Sequence, residues 1–466
     1  MSADPYVSLT GWGRTAPTTA LLVHPRSYEE AADAVRGAGP RGAIARGLGR
    51  AYGDAARNAG GSVLDMTALD RIHAVDGEGG VVTCEAGVSL HRLTHALLPL
   101  GWCVPVTPGT RYVTVGGAIG GDIHGGDHQM SGSFTRHVLS LELLTADGEV
   151  RTVLPGTPLF DATAGGMGLT GVILSATLRL HPVTTSLMSV DTERASDLDD
   201  LLTRLTTVNP ATGRPYRYAV ARIDLLARGA ALGRSVLLRG EHAPLEALDA
   251  LPAHARRRPL AFRPGRLPAA PAHVLSGLPS ELPSGLLGRG AVGLFNEMWY
   301  RAAPRRRRAG ELRRLSAFLH PLDGVPRWNR VYGRDGFVRY QFVVGDGREE
   351  ALRRIVERIA RRGFPSFLAL LRRFGQGDPG WLSFPVAGWA LALDLPAGVT
   401  GAGSFLDELD EDVAAAGGRV NLVKDARLRP DLVAAMYPRL DEFRALRAEL
   451  DPSSAFTSDL SRRLDL

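Results

Sequence analysis

The chain has 466 residues, 44% hydrophobic and 22% charged, with 55 Gly and 30 Pro, which places it in the globular range with enough length for two cores and excludes disordered, collagen-like and coiled-coil classes. Two cysteines, Cys84 and Cys103, are too few for a disulfide scaffold or a Cys-based metal site, and a reduced compartment fits best. The formal charge of +6 is a weak argument for an acidic partner, but every cation except Lys424 is arginine.

The first third alternates strand-like and helix-like segments separated by Gly-rich breaks, an α+β pattern. A short strand is expected over 20–24, followed by a helix that Ser27-Tyr28-Glu29-Glu30 opens as a capping box, with Ala31, Ala34 and Val35 inward. Further strands are expected over 43–46, 81–85, 139–146 and 172–180, with a helix over 89–98. Near Pro182 the Gly clusters stop and a boundary is expected. Residues 250–292, dense in Pro, Arg, Gly and Ala, read as a mobile loop or lid over a site. From Asp407 onward the chain is helical and charged, interrupted by Gly417-Gly418 and a strand over 419–423. The longest nearly uncharged run, 385–400, is too short and too broken by Pro and Gly to span a bilayer, and residues 1–6 lack a signal-like pattern. A soluble cytoplasmic chain is therefore expected. The Arg runs 256–258 and 305–308 lack interleaved aromatics; they read as solvated loops or contacts to phosphate or anionic lipid, and no nucleic-acid partner is expected.

Three Gly-rich segments carry the chemistry: 45–54, 108–124 and 165–171. Glycines let backbone N–H groups turn toward an anion without a Cβ in the way, so three such loops converging could hold a dinucleotide pyrophosphate. Gly166-Met167-Gly168-Leu169-Thr170-Gly171 matches G-x-G-x-x-G formally, but the Rossmann fingerprint needs a strand before it and a helix at it, whereas here a strand follows. His124 with Asp127 and His128, and His91 with His95 at i, i+4, are possible metal pairs without a full ligand set, so no metal is expected. Lys424 is a lone survivor among arginines. It is either an exposed residue kept by chance or a site that needs a compact ammonium.

The order of the three clusters, with Asp122-Ile123-His124-Gly125 after the second, resembles the flavoproteins of the vanillyl-alcohol-oxidase (PCMH) type. Gly11-Trp12-Gly13-Arg14, Arg46 to Asp54, Thr114 to Ile119, Leu144 to Glu149, His320 to Asp323, Trp328 to Arg330, Tyr340-Gln341-Phe342, Ser383-Phe384-Pro385 and Lys424-Asp425 together resemble the decaprenylphosphoryl-β-D-ribose 2'-oxidase family, flavin subunits of the actinobacterial epimerase that makes the arabinose donor. The resemblance covers nearly the whole chain. It implies a two-subdomain FAD-binding domain over 1–185, an α+β substrate domain with an antiparallel sheet over 186–412, and a C-terminal segment, 413–466, returning to the FAD domain. It implies FAD contacts from Arg46, Gly47, Leu48, Gly49, Arg50, Ala51, Tyr52, Gly53, Asp54, Gly109, Thr114, Val115, Gly116, Gly117, Gly121, Asp122, Ile123, His124, Ile173 and Asn421. Many relatives tether flavin through a His in the first cluster; Arg50 and Ala51 stand near that point here, so a non-covalent FAD is inferred.

The resemblance places Lys424 beside the flavin N1 and C2 carbonyl, where its charge would stabilise the anionic reduced ring. The implied reaction is oxidation of a ribose C2 alcohol, with the hydroxyl proton going to a base and the hydride to flavin N5. It leaves a 2'-keto sugar for an NAD(P)H-dependent keto-reductase partner, and a lipid-linked substrate brings a peripheral membrane contact with it. Tyr52, His124, Gln341 and Lys424 are the catalytic candidates, with the base unassigned, and Tyr340 and Trp328 are candidate pocket walls. The substrate half departs from the family: Arg222 replaces an aromatic, Gly126 and Arg372 replace Lys, Leu319 replaces Tyr, Ala390 replaces Asn, and Ala392 replaces the Cys that nitroaromatic inhibitors attack. Arg222, Arg372, Tyr340, Ala390 and Ala392 are thus the candidate substrate residues, the two arginines as phosphate partners. The altered pocket also suits an oxidase of another sugar, alditol or aldonolactone in specialised metabolism. A flavin-binding protein without turnover is a third reading, against which Lys424, Tyr52 and Gln341 argue.

Overall fold

A computed structural model describes residues 6–251, 256–261, 287–325 and 327–466. Four strands, β1 (Tyr6–Leu9), β2 (Thr18–Val23), β3 (Ala43–Arg46) and β4 (Ser62–Asp65), form a sheet in the order β1-β2-β4-β3. The helix Tyr28–Arg36 covers it with Ala31, Ala32 and Val35. The Ser27 side chain accepts from Glu30 N, but Glu30 accepts from Arg26 N at 2.8 Å and not from Ser27 N, so the expected capping box closes one residue early.

The second sheet is antiparallel, β5 (Ile72–Asp76), β6 (Val81–Glu85), β8 (Val138–Leu144), β9 (Val150–Val153) and β10 (Val172–Arg179) in the order β5-β6-β10-β8-β9, while β7 (Trp102–Cys103) pairs with β11 (His181–Pro182). The helix Leu90–Leu97, capped by Ser89, packs Leu90, Leu93 and Leu97 on this sheet. The two sheets share one apolar layer in which Ala43 and Leu64 of the first meet Leu144, Val172 and Leu174 of the second. The third Gly segment sits between the helix Pro158–Thr163 and β10, so a strand follows the pseudo-fingerprint, as the sequence context requires.

The third sheet has eight antiparallel strands: β12 (Leu187–Ala195), β13 (Tyr218–Ile223), β14 (Ser235–His242), β15 (Arg308–Arg314), β16 (Phe337–Gly345), β17 (Ala369–Phe374), β18 (Gly388–Pro396) and β19 (Arg419–Val420), ordered β15-β12-β14-β13-β17-β18-β16-β19. Helices Leu198–Leu205, Glu349–Arg362 and Ala402–Ala415 bury their apolar stripes on one face against Ala221, Leu237, Leu371, Leu391 and Phe342. The two-residue period of a strand sends the intervening side chains to the other face. That face carries a cavity.

Two expectations change here. The strand expected over 419–423 stops at Val420, because Lys424 N bonds Asn421 O (3.1 Å) and Val423 N bonds Asn421 Oδ1 (3.1 Å), turning the chain. Of the stretch 250–292, residues 252–255 and 262–286 lie outside the described residues, and its end opens a helix, Arg289–Ala302. The C-terminal residues join both regions: β19 pairs with β16, Phe456 bridges Ala43, and Arg463 bonds Asp54 and Asp425.

Candidate active site

A cavity of about 420 Å³ runs from the first sheet's loops across the second sheet to the large sheet. Its floor is built in register. Arg222 faces Leu370, Leu370 faces Ala392, and Ala392 faces Gln341, so one row crosses four strands; in the next row Arg372 opposes Ala390, which opposes Val343, and Arg339 opposes Asp394 in the row before. The roof over this end is the helix Arg289–Ala302, whose Phe295 and Trp299, one turn apart, line the cavity.

The other end fits an extended dinucleotide. Gly47, Gly49, Gly109, Gly116, Gly117, Gly121 and Gly168 bring bare backbone to the wall. A Cβ on Gly47 would lie 2.1 Å from Thr114 Oγ1, so the first and second clusters approach each other only because that residue is glycine. Thr114 Oγ1 itself accepts from Gly117 N at 3.2 Å. Arg46 is anchored to Thr10 O (2.9 Å) and Ala56 O (3.0 Å), while Arg50 lies over the Trp12 ring at 3.8 Å with a buried, unpartnered Nε. Bare amides, half-buried guanidinium groups and apolar walls from Met66, Val113 and Ile173 are the lining a flavin dinucleotide needs.

Where cradle and floor meet, one amide organises the polar groups. Gln341 Oε1 accepts from Lys424 Nζ (2.5 Å) and Asn421 Nδ2 (3.2 Å), so its NH₂ is left to donate to His124 Nε2 at 2.9 Å. That pattern assigns the His124 proton to Nδ1. Burial, then Lys424 and Arg372, hold the His124 imidazole well below its ordinary pKa, and burial, then Arg339 and Arg372, hold the Lys424 amine well below its own. Burial therefore disfavours the charged form of both groups. Burial pushes the Tyr52 phenol up to about 12 against the opposing pull of Arg339.

Two arginines on the floor differ. Arg222 donates to Phe367 O at 2.6 Å and lies against the rings of Phe295 (4.5 Å) and Trp299 (4.8 Å), so its charge is already housed, and burial lowers it to about 10. Arg372, also lowered to about 10 by burial and then by Arg339, has no hydrogen bond or ion pair among the described residues, and its Nε is buried and unpartnered.

The cavity gathers Arg46 to Tyr52, Gly109, Thr114, Gly116, Gly117, Gly121, Ile123, His124, Ile173, Arg222, Trp328, Arg372, Ala392 and Lys424. Other expected contacts do not reach it. Tyr340 points to the helix face of the large sheet beside Asp410, because it alternates with Arg339 and Gln341 on β16. Ala390 is closed off by Val343, Phe374 and Phe384. Gln341 and Asn421 stand behind Lys424 and His124 and hold them in place. Val115 is core, Gly53 abuts Asp425 O, and Asp54 is spent on Arg463 (2.9 Å). Asp122 turns away to accept from Thr135 Oγ1 (2.5 Å) and from Ser383, pinning its loop, and burial raises it to about 6. Among the described residues no group of three or more His, Cys, Asp or Glu could hold a metal. Sequence reasoning missed Arg339, Asp394, Phe295 and Trp299; the i, i+4 aromatic spacing was the available signal for the last two.

The fold and the cavity define an FAD-dependent oxidoreductase with a two-part cofactor domain of PCMH type and an α+β substrate region built on an antiparallel sheet. An FAD binding domain family matches residues 19–154. A decaprenylphosphoryl-beta-D-ribose oxidase from Mycolicibacterium smegmatis is 44% identical over 464 residues, 98% of this chain and 97% of that one. An uncharacterized protein from the mprA 5' region of Streptomyces coelicolor is 56% identical over 380 residues, 81% of this chain and 100% of that one. Physcomitrella patens BBE-like 1 superposes with a TM-score of 0.64 at 15% identity, covering 94% of this chain and 90% of that one, a likeness of fold alone. The chain belongs to the decaprenylphosphoryl-β-D-ribose oxidase family of FAD-linked oxidoreductases.

Proposed function

We propose that this chain oxidises the 2'-hydroxyl of a polyprenylphosphoryl-β-D-ribose to the 2'-keto sugar. This is the first half of an epimerisation that an NAD(P)H-dependent keto-reductase completes to the arabinose donor. The observation that supports the phosphorylated sugar is Arg372, a half-buried guanidinium lining the cavity whose Nε is buried and which makes no hydrogen bond or ion pair among the described residues; a phosphate oxygen supplies a partner. FAD, held by the glycine clusters with Arg46 and Arg50, would supply the two-electron acceptor for the C2 hydrogen and its electron pair. The chain moves the proton. The Lys424 amine, its charged form disfavoured by burial and its position set by Gln341 Oε1, takes it from the substrate hydroxyl and becomes ammonium as the C2–O bond becomes a carbonyl. His124 has its Nε2 engaged by Gln341 and orients the amide.

The FAD is held without a covalent tether in this reading. Arg50 and Ala51 line the wall where relatives carry a tethering His, and acid denaturation should release all the yellow colour. We also divide the chain as the resemblance implies, with the cofactor domain ending near residue 185 and the last segment, from 413, returning to it. No helix among the described residues is long and apolar enough to cross a membrane. The membrane contact of a lipid-linked substrate is read at the outer stripe of the helix Arg289–Ala302. There Leu294 (63% exposed) and Met298 (59% exposed) stand beside Arg301 and just before Arg305 and Arg306. An anionic bilayer suits an apolar stripe flanked by guanidinium groups, and flotation with anionic vesicles that Leu294→Glu/Met298→Glu does not reduce would reject it.

The test of function is visible absorption of the holoenzyme under anaerobic conditions, before and after a short-chain polyprenylphosphoryl ribofuranose, with free alditols and aldonolactones alongside. Bleaching by the phosphorylated ribose alone is expected. Bleaching only by the free sugars would reject the proposal and keep the oxidase.

A further inference from the structure

The cavity floor carries a buried ion pair that the proton transfer above does not use. Arg339 donates through Nε to Asp394 Oδ1 (2.5 Å) and through Nη2 to Asp394 Oδ2 (2.7 Å), and Asp394 also accepts from Tyr332 OH (3.2 Å). The two residues oppose each other in register on β16 and β18, with Asp394 fully buried. This two-point grip fixes the plane of the guanidinium. Its remaining nitrogen, Nη1, donates to Tyr52 OH at 2.6 Å, with the guanidinium carbon 4.5 Å from the centre of the Tyr52 ring. Phe337 meets that ring edge-on, with centroids 5.7 Å apart. Arg339 and Tyr52 both line the cavity.

We propose that Arg339, locked by Asp394, is a positioning residue that fixes Tyr52 as a hydrogen-bond donor to an oxygen of the sugar substrate. A phenol has one proton and two lone pairs. Arg339 occupies a lone pair, and no acceptor for the proton exists among the described residues, so the O–H is left for a group in the cavity. Burial keeps that proton on the oxygen at neutral pH. Donation from a cation onto the oxygen also polarises the O–H toward its own acceptor. Arg339 itself is not the phosphate anchor: Asp394 neutralises it and three of its five N–H groups are spent, whereas Arg372 is unpaired. A lysine could not replace it, because one ammonium lacks the rigid fork that binds Asp394 twice and still reaches Tyr52.

The inference rests on a hydroxylated sugar as substrate, not on which sugar. Arg339→Gln alone would strand a buried carboxylate, so the principal variant is Arg339→Gln/Asp394→Asn, assayed as FAD-loaded enzyme beside Tyr52→Phe, the triple variant and Arg339→Lys. Loss of positioning should lower kcat/KM about 10- to 100-fold, similarly in the pair variant and in Tyr52→Phe. The triple variant should be no worse than either, because both changes remove one interaction. Arg339→Lys should keep the melting temperature and bound flavin yet fail to restore kcat/KM. A second arm needs no turnover: 3-fluorotyrosine placed at position 52 should give one narrow fluorine resonance in the parent enzyme and a shifted, broadened one in both the pair variant and Arg339→Lys. Multiplicative losses in the triple variant, or an unchanged fluorine line, would overturn the clamp. Should the phosphorylated ribose fail to bleach the enzyme, the assigned substrate falls while the fluorine line still decides the clamp.

Discussion

Replacing Arg372 with Met should make the protein more stable and a poorer catalyst for a phosphorylated sugar. Arg372 is lowered from 12.5 to about 10, chiefly by burial and next by Arg339. Each pKa unit is about 1.4 kcal/mol, so holding this charge in the FAD-free protein costs about 3 kcal/mol before screening. Part of the side chain faces the cavity, and solvent there reduces the figure to about 1–2 kcal/mol. Methionine has similar length, no charge to desolvate and the flexibility to follow the floor. FAD-free Arg372→Met should therefore melt roughly 1–3 °C above the parent. A charge-assisted bond to phosphate contributes about 1.5–3 kcal/mol, so KM for a polyprenylphosphoryl ribose should rise about 10- to 100-fold. Any turnover of an unphosphorylated sugar should not move. The assays are differential scanning calorimetry of apoprotein and anaerobic initial rates across the two substrate classes. A variant that melts lower than the parent with an unchanged KM would refute both the unpaired state of Arg372 and its partner.

Gly53→Ala should yield protein that expresses but loses FAD: an added Cβ would lie 1.7 Å from Asp425 O, so the first cluster must move away from the turn that presents Lys424. The ratio of flavin to protein absorbance after gel filtration checks this, and a fully loaded variant would count against it. His128 is 1% exposed, lies tilted against Phe374 with ring centroids 4.4 Å apart and is lowered by burial from 6.5 to about 4. With its folded pKa below the unfolded one, it contributes stability that is complete above pH 6.5 and is lost as pH falls toward 4, up to about 3 kcal/mol. Neighbouring Asp127, raised by burial to about 7, works in the opposite direction over the same range. The difference between parent and His128→Gln therefore isolates the imidazole. Urea midpoints from pH 7 to pH 4 should fall less steeply in the variant, and parallel curves would contradict the assignment.

The cofactor half was far more legible in the sequence than the substrate half. Glycine clusters mark places where backbone must approach something closely, and that requirement shows in the chain itself, as Gly47 against Thr114 illustrates. Lys424 stood out against an all-arginine background. The floor of the cavity depends on strand register, which one sequence does not display. Tyr340 and Gln341 are adjacent in the chain and face opposite sides of the sheet; Ala390 and Ala392 share a face, yet aromatic side chains close off one and leave the other open. Arg339 and Asp394 meet only because β16 and β18 pair, so neither looked like half of an ion pair. The roof helix was hidden for another reason. The Pro- and Arg-rich composition running up to it reads as loop, which obscured the one-turn spacing of Phe295 and Trp299.

Residues 424–463 tie the cofactor cradle together from a distance along the chain. Lys424 lies in the cavity, Arg463 grips Asp54 beside the first glycine cluster, and Phe456 joins the first sheet at Ala43. The cradle beside the first glycine cluster is thus tied by a contact 409 residues apart in the chain. Such closure costs loop entropy that FAD bound in the cavity offsets by mass action, so cofactor binding and docking of this segment stabilise one another.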